Sequence, residues 1–181
     1  YALHVGLVFR GLLFRSVPPP PTPPPTSIGG GQAGEGSFPL LQGGGEVKER
    51  FVAGSIGPSG KLPSADDPEL SNVSFDELAD VFREQAVGLL SGGVDLLLIE
   101  TSQDILEVKA AITGIQKAFE QTGISLPIQA QVTLDTTGRM LLGTDITAAL
   151  SILEGMPIDV IGLNCSTGPE HMREPIRILG E

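Results

Sequence analysis

The chain has no tryptophan, one tyrosine and one cysteine, and aromatic residues make up 4% of its 181 positions. A lone cysteine excludes any intramolecular disulfide framework and fits a reducing, cytoplasmic setting. So few aromatics leave a core to be built from Ile, Leu, Val and Ala. Basic residues are scarce as well: 11 Lys and Arg stand against 22 Asp and Glu, for a net charge of −11. That balance argues against nucleic acid or an anionic membrane as the main partner. No apolar run approaches the ~20 residues that cross a bilayer. The apolar opening Leu3-His4-Val5-Gly6-Leu7-Val8-Phe9 is followed by Arg10 and Arg15. A signal peptide would place its positive charges before the apolar core.

What is present falls into two unlike pieces. Residues 1–45 carry Pro18-Pro19-Pro20-Pro21-Thr22-Pro23-Pro24-Pro25 and glycine runs at Gly29-Gly30-Gly31 and Gly43-Gly44-Gly45. Proline runs favour polyproline II and glycine runs favour coil, so this low-complexity segment is expected to be disordered. A linker, or sequence foreign to the domain, describes it better than a proline-rich ligand for an aromatic-lined groove. From Glu46 to Glu181 the composition changes, and that stretch holds every acidic residue except Glu35.

The second piece repeats a plan. Phe51-Val52-Ala53-Gly54-Ser55-Ile56 reads as a short strand closed by the turn Gly57-Pro58-Ser59-Gly60. Ser74-Phe75-Asp76-Glu77 is a capping box, and Phe75, Leu78, Phe82, Ala86 and Leu89 continue at helical spacing to Gly92-Gly93. Val94-Asp95-Leu96-Leu97-Leu98-Ile99 is apolar enough for a strand covered on both faces. Ser102 is the expected cap of the next helix, whose buried face is Ile105, Val108, Ile112, Ile115 and Phe119. Glu107 and Lys109 read as its solvated face. Ile128 to Leu134 is a third strand, and Asp135 beyond it reads as a turn former beside Thr136-Thr137-Gly138. A helix begins near Thr144-Asp145 and stops at Gly155. Ile158-Asp159-Val160-Ile161 is a fourth strand, and Pro169 opens a last helix that is expected to run on to Glu181. Strand and helix alternating at about thirty-residue spacing mean parallel β/α architecture. Periodicity alone fits both a small open sheet and a segment of a barrel.

Cys165 follows the fourth strand in Gly162-Leu163-Asn164-Cys165, and in parallel β/α folds ligands gather at that end of the strands. A sulfur there is a candidate nucleophile or metal ligand, although a lone cysteine is commonly an inert small hydrophobe. No histidine stands beside it: His4 lies in the low-complexity segment and His171 on a helix beyond the loop, so neither is a good metal candidate.

Three strand-end motifs agree with one family. Phe51 to Gly60, Leu97-Leu98-Ile99-Glu100-Thr101 and Gly162-Leu163-Asn164-Cys165-Ser166-Thr167-Gly168-Pro169-Glu170 resemble, in order and spacing, the homocysteine S-methyltransferase family. They look more like the homocysteine-binding domain of its cobalamin-dependent, methionine synthase branch. The resemblance covers about Arg50 to Glu181. It implies a (β/α)₈ TIM barrel of which strands three to six are present. It implies that Cys165 is one of three cysteine ligands of a zinc ion, and that Glu100 grips the amino group of homocysteine. Asn164 is implied to orient the loop and to touch substrate more weakly. Methylcobalamin and methyltetrahydrofolate would bind other domains of the full protein, and its cobalamin-binding domain would be a partner. Two features depart from the family: no Cys-Cys pair occurs, and residues 1–45 hold no counterpart of the first two strands. The expectation is part of an enzyme, inactive alone, with a non-catalytic β/α scaffold or binding module as the other reading.

Overall fold

In the computed structural model of the chain, the residues described are the strand Gly6–Phe9 and residues 51–181. The strands are β1 (Gly6–Phe9), β2 (Ala53–Ile56), β3 (Leu96–Ser102), β4 (Ile128–Val132) and β5 (Val160–Leu163). Helices α1 (Phe75–Ser91), α2 (Ile105–Thr122), α3 (Ile146–Leu153) and α4 (Pro169–Leu179) alternate with them. The sheet order is β1-β5-β4-β3-β2, with β2 to β5 parallel and β1 antiparallel to β5.

The order of the parallel strands never reverses. Crossovers between parallel strands are right-handed, so successive crossovers in one direction lay their helices on the same face. A doubly wound sheet needs a reversal, and β2 to β5 have none; the arrangement fits part of a β/α barrel. The buried strand residues bear this out: Ile56, Leu97, Ile99, Ile128, Ala130, Val132 and Leu163 join one core with the helix residues Leu78, Phe82, Ile112 and Ile115. Each such large side chain contributes about 1.5–3 kcal/mol by leaving water. The alternate positions on the other face stay more open, with Ala53 and Ser55 exposed and Leu96, Leu98 and Glu100 half-buried.

Local signals explain the helix ends. Ser74 and Glu77 form the expected capping box, and Gly123 closes α2 in the left-handed conformation at φ 71°. Gly114 lets α2 press against α1: a Cβ there would lie 2.4 Å from the Ala79 carbonyl oxygen and 2.8 Å from the Arg83 nitrogen.

Three expectations are corrected. Ser102 does not cap α2; it is the last residue of β3, and Asp104 is the cap, accepting from the Leu106 N–H at 2.8 Å. The cause is an irregularity in the β3–β4 register between Ile99 and Ser102, which carries the strand further than its apolar run. Helix α4 closes at Leu179, with Gly180 as its cap, and does not run on to Glu181. Gly6–Phe9, inside the segment assigned to low complexity, pairs with β5 from Gly6↔Leu163 to Phe9↔Val160. The rest of residues 1–45, His4 and the boundary at 45/46 lie outside the described residues.

Candidate functional site

The carboxyl ends of β3 and β5 bring Glu100, Asn164 and Cys165 together, although β4 lies between those two strands. Asn164 makes the connection. Its Oδ1 accepts from the Thr101 backbone N–H at 2.8 Å, a donor that the β3 irregularity leaves out of the ladder. Its Nδ2 lies 2.8 Å from Thr101 Oγ1, 3.3 Å from Cys165 Sγ and 3.4 Å from Glu100 Oε2. An amide nitrogen has two protons, so three acceptors share them, with Thr101 nearest. Asn164 is 1% exposed, and its backbone carbonyl oxygen accepts from Thr133 Oγ1 at 3.0 Å. The asparagine is thus held from both ends and sets the spacing of the other two.

Glu100 is half-buried and its Oε1 accepts from the Ser55 hydroxyl on β2. Cys165 is exposed, and its sulfur also lies 3.5 Å from Thr101 Oγ1. Backbone strain collects at the same place. Among the described residues Thr101, Cys165 and Ser166 have positive φ without being glycine, at 61°, 60° and 62°. The left-handed region costs roughly 1–2 kcal/mol per such residue, more for a β-branched one. Strain of this kind persists only where surrounding structure fixes it, and it clusters at functional sites. Here it turns Thr101 and Cys165 out of strand geometry and toward Asn164.

The loop after β2 is fixed to the same end of the sheet by two buried acids at the start of α2. Ser59 donates to Glu107 Oε1 from its backbone N–H at 2.8 Å and its hydroxyl at 2.5 Å. Ser64 donates to Asp104 from its N–H and its hydroxyl, both at 2.7 Å. Glu107 is 2% exposed, which corrects its reading as solvated helix face; the loop folds back and covers it. Burial pushes its carboxyl above the ordinary value, the Ser59 bonds pull it down, and Asp104 raises it further. Asp135 does form its turn, accepting from Thr137 N and Oγ1 and from Arg139 N, and the Thr137 hydroxyl chiefly holds its carboxyl low. His171 lies exposed on α4.

Residues 40–181 match the homocysteine S-methyltransferase family. The chain belongs to that family. The homocysteine S-methyltransferase segment is 45% identical over 132 residues to the methionine synthase of Mycobacterium tuberculosis and 44% identical over 133 residues to that of Mycobacterium leprae. These matches take in 73% and 74% of this chain but 11% of each relative, so the chain spans a small part of their length. The family is one of enzymes, and the segment carries α/β structure from Ala53 to Leu179.

Family membership raises the question of a metal. Cys165 offers one exposed sulfur beyond the carboxyl end of β5, and among the described residues no three His, Cys, Asp or Glu side chains converge as a metal site. A zinc ion needs three or four protein ligands, so the described residues do not by themselves fit one. Sequence reasoning named Glu100, Asn164 and Cys165 but missed Ser55, Thr101 and the Ser59–Glu107 and Ser64–Asp104 pairs. Thr101 stood next to Glu100 in its motif, and Ser55 and Ser59 stood within the Phe51–Gly60 motif; Ser64 carried no signal short of the folded loop. Among the described residues, no helix is long and apolar enough to cross a membrane.

Proposed function

We propose that this chain forms strands three to six of a homocysteine-binding (β/α)₈ barrel in a cobalamin-dependent methionine synthase of the cytoplasm. The observation that supports this most is the cluster of Glu100, Asn164 and Cys165 at one end of the sheet. Homocysteine carries an ammonium at one end and a thiol at the other. Glu100 receives the ammonium in a charge-assisted hydrogen bond, and Ser55 and Asn164 hold the carboxylate in place for it. Asn164 keeps Cys165 at a fixed separation, where the ligand's sulfur arrives. A substrate of a few bonds can meet both groups only because they share a mouth.

In this reading the homocysteine thiol would give up its proton and its sulfur would take the methyl group of methylcobalamin, whose bonding pair would stay on the cobalamin, to give methionine; methyltetrahydrofolate would be the earlier donor. Both are carried by other domains of the whole protein. Cys165 is one thiolate ligand of a zinc site completed elsewhere in that protein; its own contribution is a sulfur positioned by Asn164 and by strained backbone. The experiment is Glu100→Gln in the intact enzyme that carries this segment. Homocysteine binding should weaken by about 1.5–3 kcal/mol, the range for hydrogen bonds to charged groups, with zinc content unchanged. Normal homocysteine binding by that variant would overturn the assignment.

A second reading, a non-catalytic β/α binding module, draws on the lack of a convergent metal-ligand group among the described residues. Zinc titration of the intact enzyme separates the two: tight one-to-one binding lost on Cys165→Ala favours the enzyme.

A further inference from the structure

Gln131 on β4 is 1% exposed, and among the described residues its Nε2 is the buried side-chain nitrogen without a hydrogen-bond partner. Its neighbours Ala130 and Val132 both belong to the helix-side core. Strand pleat therefore sends Gln131 to the opposite face, the face of Glu100. Register places the two side by side. Ile99 pairs with Ala130 and Ser102 with Val132, so Glu100 and Thr101 together stand against Gln131 alone. Such a two-against-one bulge re-aims side chains beside a site. On the other flank Gln131 pairs with Gly162, which has no side chain to offer the amide.

A buried donor left unpaired opposes folding, and an apolar side chain of the same length would avoid that cost. Such a group in a native structure calls for a reason. The chemistry supplies one: a free N–H donor one strand away from a carboxylate complements an α-amino acid. The ligand's ammonium meets Glu100, and its carboxylate, two bonds further, lies across the ~4.8 Å strand spacing. We infer that Gln131 is a positioning residue for the amino-acid ligand, donating from Nε2 to the ligand carboxylate. This rests on the reading of Glu100 as the partner of the ammonium.

The test uses the intact enzyme that carries this segment, with its glutamine side-chain amides ¹⁵N-labelled, titrated with three ligands: L-homocysteine, 3-mercaptopropylamine (no carboxylate) and 4-mercaptobutanoic acid (no amine). The Gln131 side-chain amide resonances should shift with homocysteine and the acid, and stay in place with the amine. Gln131→Met should weaken homocysteine binding about 10- to 100-fold, leave the amine's binding unchanged, and keep or raise the melting temperature. Gln131→Glu, which turns the donor into an acceptor of like charge, should lose both carboxylate ligands. Equal binding of homocysteine by Gln131→Met, or equal loss of all three ligands, would overturn the inference, as would a lower melting temperature for that variant. Glu100→Gln separates the two readings: it should weaken homocysteine and the amine and spare the acid. If it spares homocysteine while Gln131→Met does not, the Glu100 reading fails and the carboxylate contact stands. If the wild-type enzyme binds none of the three, both fall.

Discussion

Glu107 and Ser59 allow a pH-resolved test of how the loop after β2 is held. Glu107 is 2% exposed and its Oε1 takes both Ser59 bonds. In Ser59→Ala the backbone donor remains and the hydroxyl is lost. Above the folded pKa of Glu107 the hydroxyl serves a carboxylate, so its loss should cost about 1.5–3 kcal/mol; below it the same bond, to a neutral carboxyl, is worth about 0.5–1.5 kcal/mol. The cost should therefore shrink by about 1 kcal/mol on acidification. The sign for the acid itself follows from burial, the largest influence, which raises its folded pKa above the ordinary 4.5. A raised folded value means that the contribution is fully present below the unfolded value and is lost as pH rises through the folded one. Glu107→Gln removes that dependence. The stability of wild type relative to Glu107→Gln should be greatest near about pH 4 and fall toward neutrality. Exposed acids whose carboxyls are held low, such as Glu77 and Asp80, act in the opposite sense, but they cancel in the difference between the two proteins. Urea unfolding followed by far-UV circular dichroism between about pH 4 and 8 measures both effects. A pH-independent cost for Ser59→Ala, or a Glu107→Gln curve parallel to wild type, would refute the buried-acid clamp.

Other outcomes follow from single contacts. Gly114→Ala should cost about 1–3 kcal/mol or more, because its Cβ would sit 2.4 Å from the Ala79 carbonyl oxygen; thermal unfolding checks it. Asn164→Ala should cost about 2–4 kcal/mol by orphaning the Thr101 N–H and leaving a cavity, and backbone chemical shifts at Thr101 should move out of the left-handed range. The isolated chain should bind zinc weakly, and Cys165→Ala should hardly change the affinity seen by competition with a chromogenic chelator; tight one-to-one zinc lost in the variant would mean that the chain holds further ligands.

Much of this protein is written locally. The Ser74–Glu77 capping box, the apolar period from Leu78 to Phe82 and Ala86, and the runs at Leu96–Ile99 and Ile128–Val132 all state their elements within a few residues. Hydrogen-bonded turns and helix periodicity depend on neighbours in sequence, so a reader of the sequence can find them. The motifs around Glu100 and Cys165 likewise lie at strand ends that the apolar runs define. Tertiary structure decided the rest. The bulge that carries β3 to Ser102 and hands the cap to Asp104 arises from pairing with β4, a partner about thirty residues away. Glu107 is buried because residues 57–64 fold back over α2, which helical periodicity cannot foresee. The pairing of Gly6–Phe9 with β5 joins segments some 150 residues apart and depends on an available sheet edge rather than on the strand's own composition. Above all, Glu100 and Cys165 become neighbours only because the strands follow in unreversed order and Asn164 reaches across β4. Residue types were fixed by sequence; their meeting came from a parallel sheet that presents every strand's carboxyl end on one side.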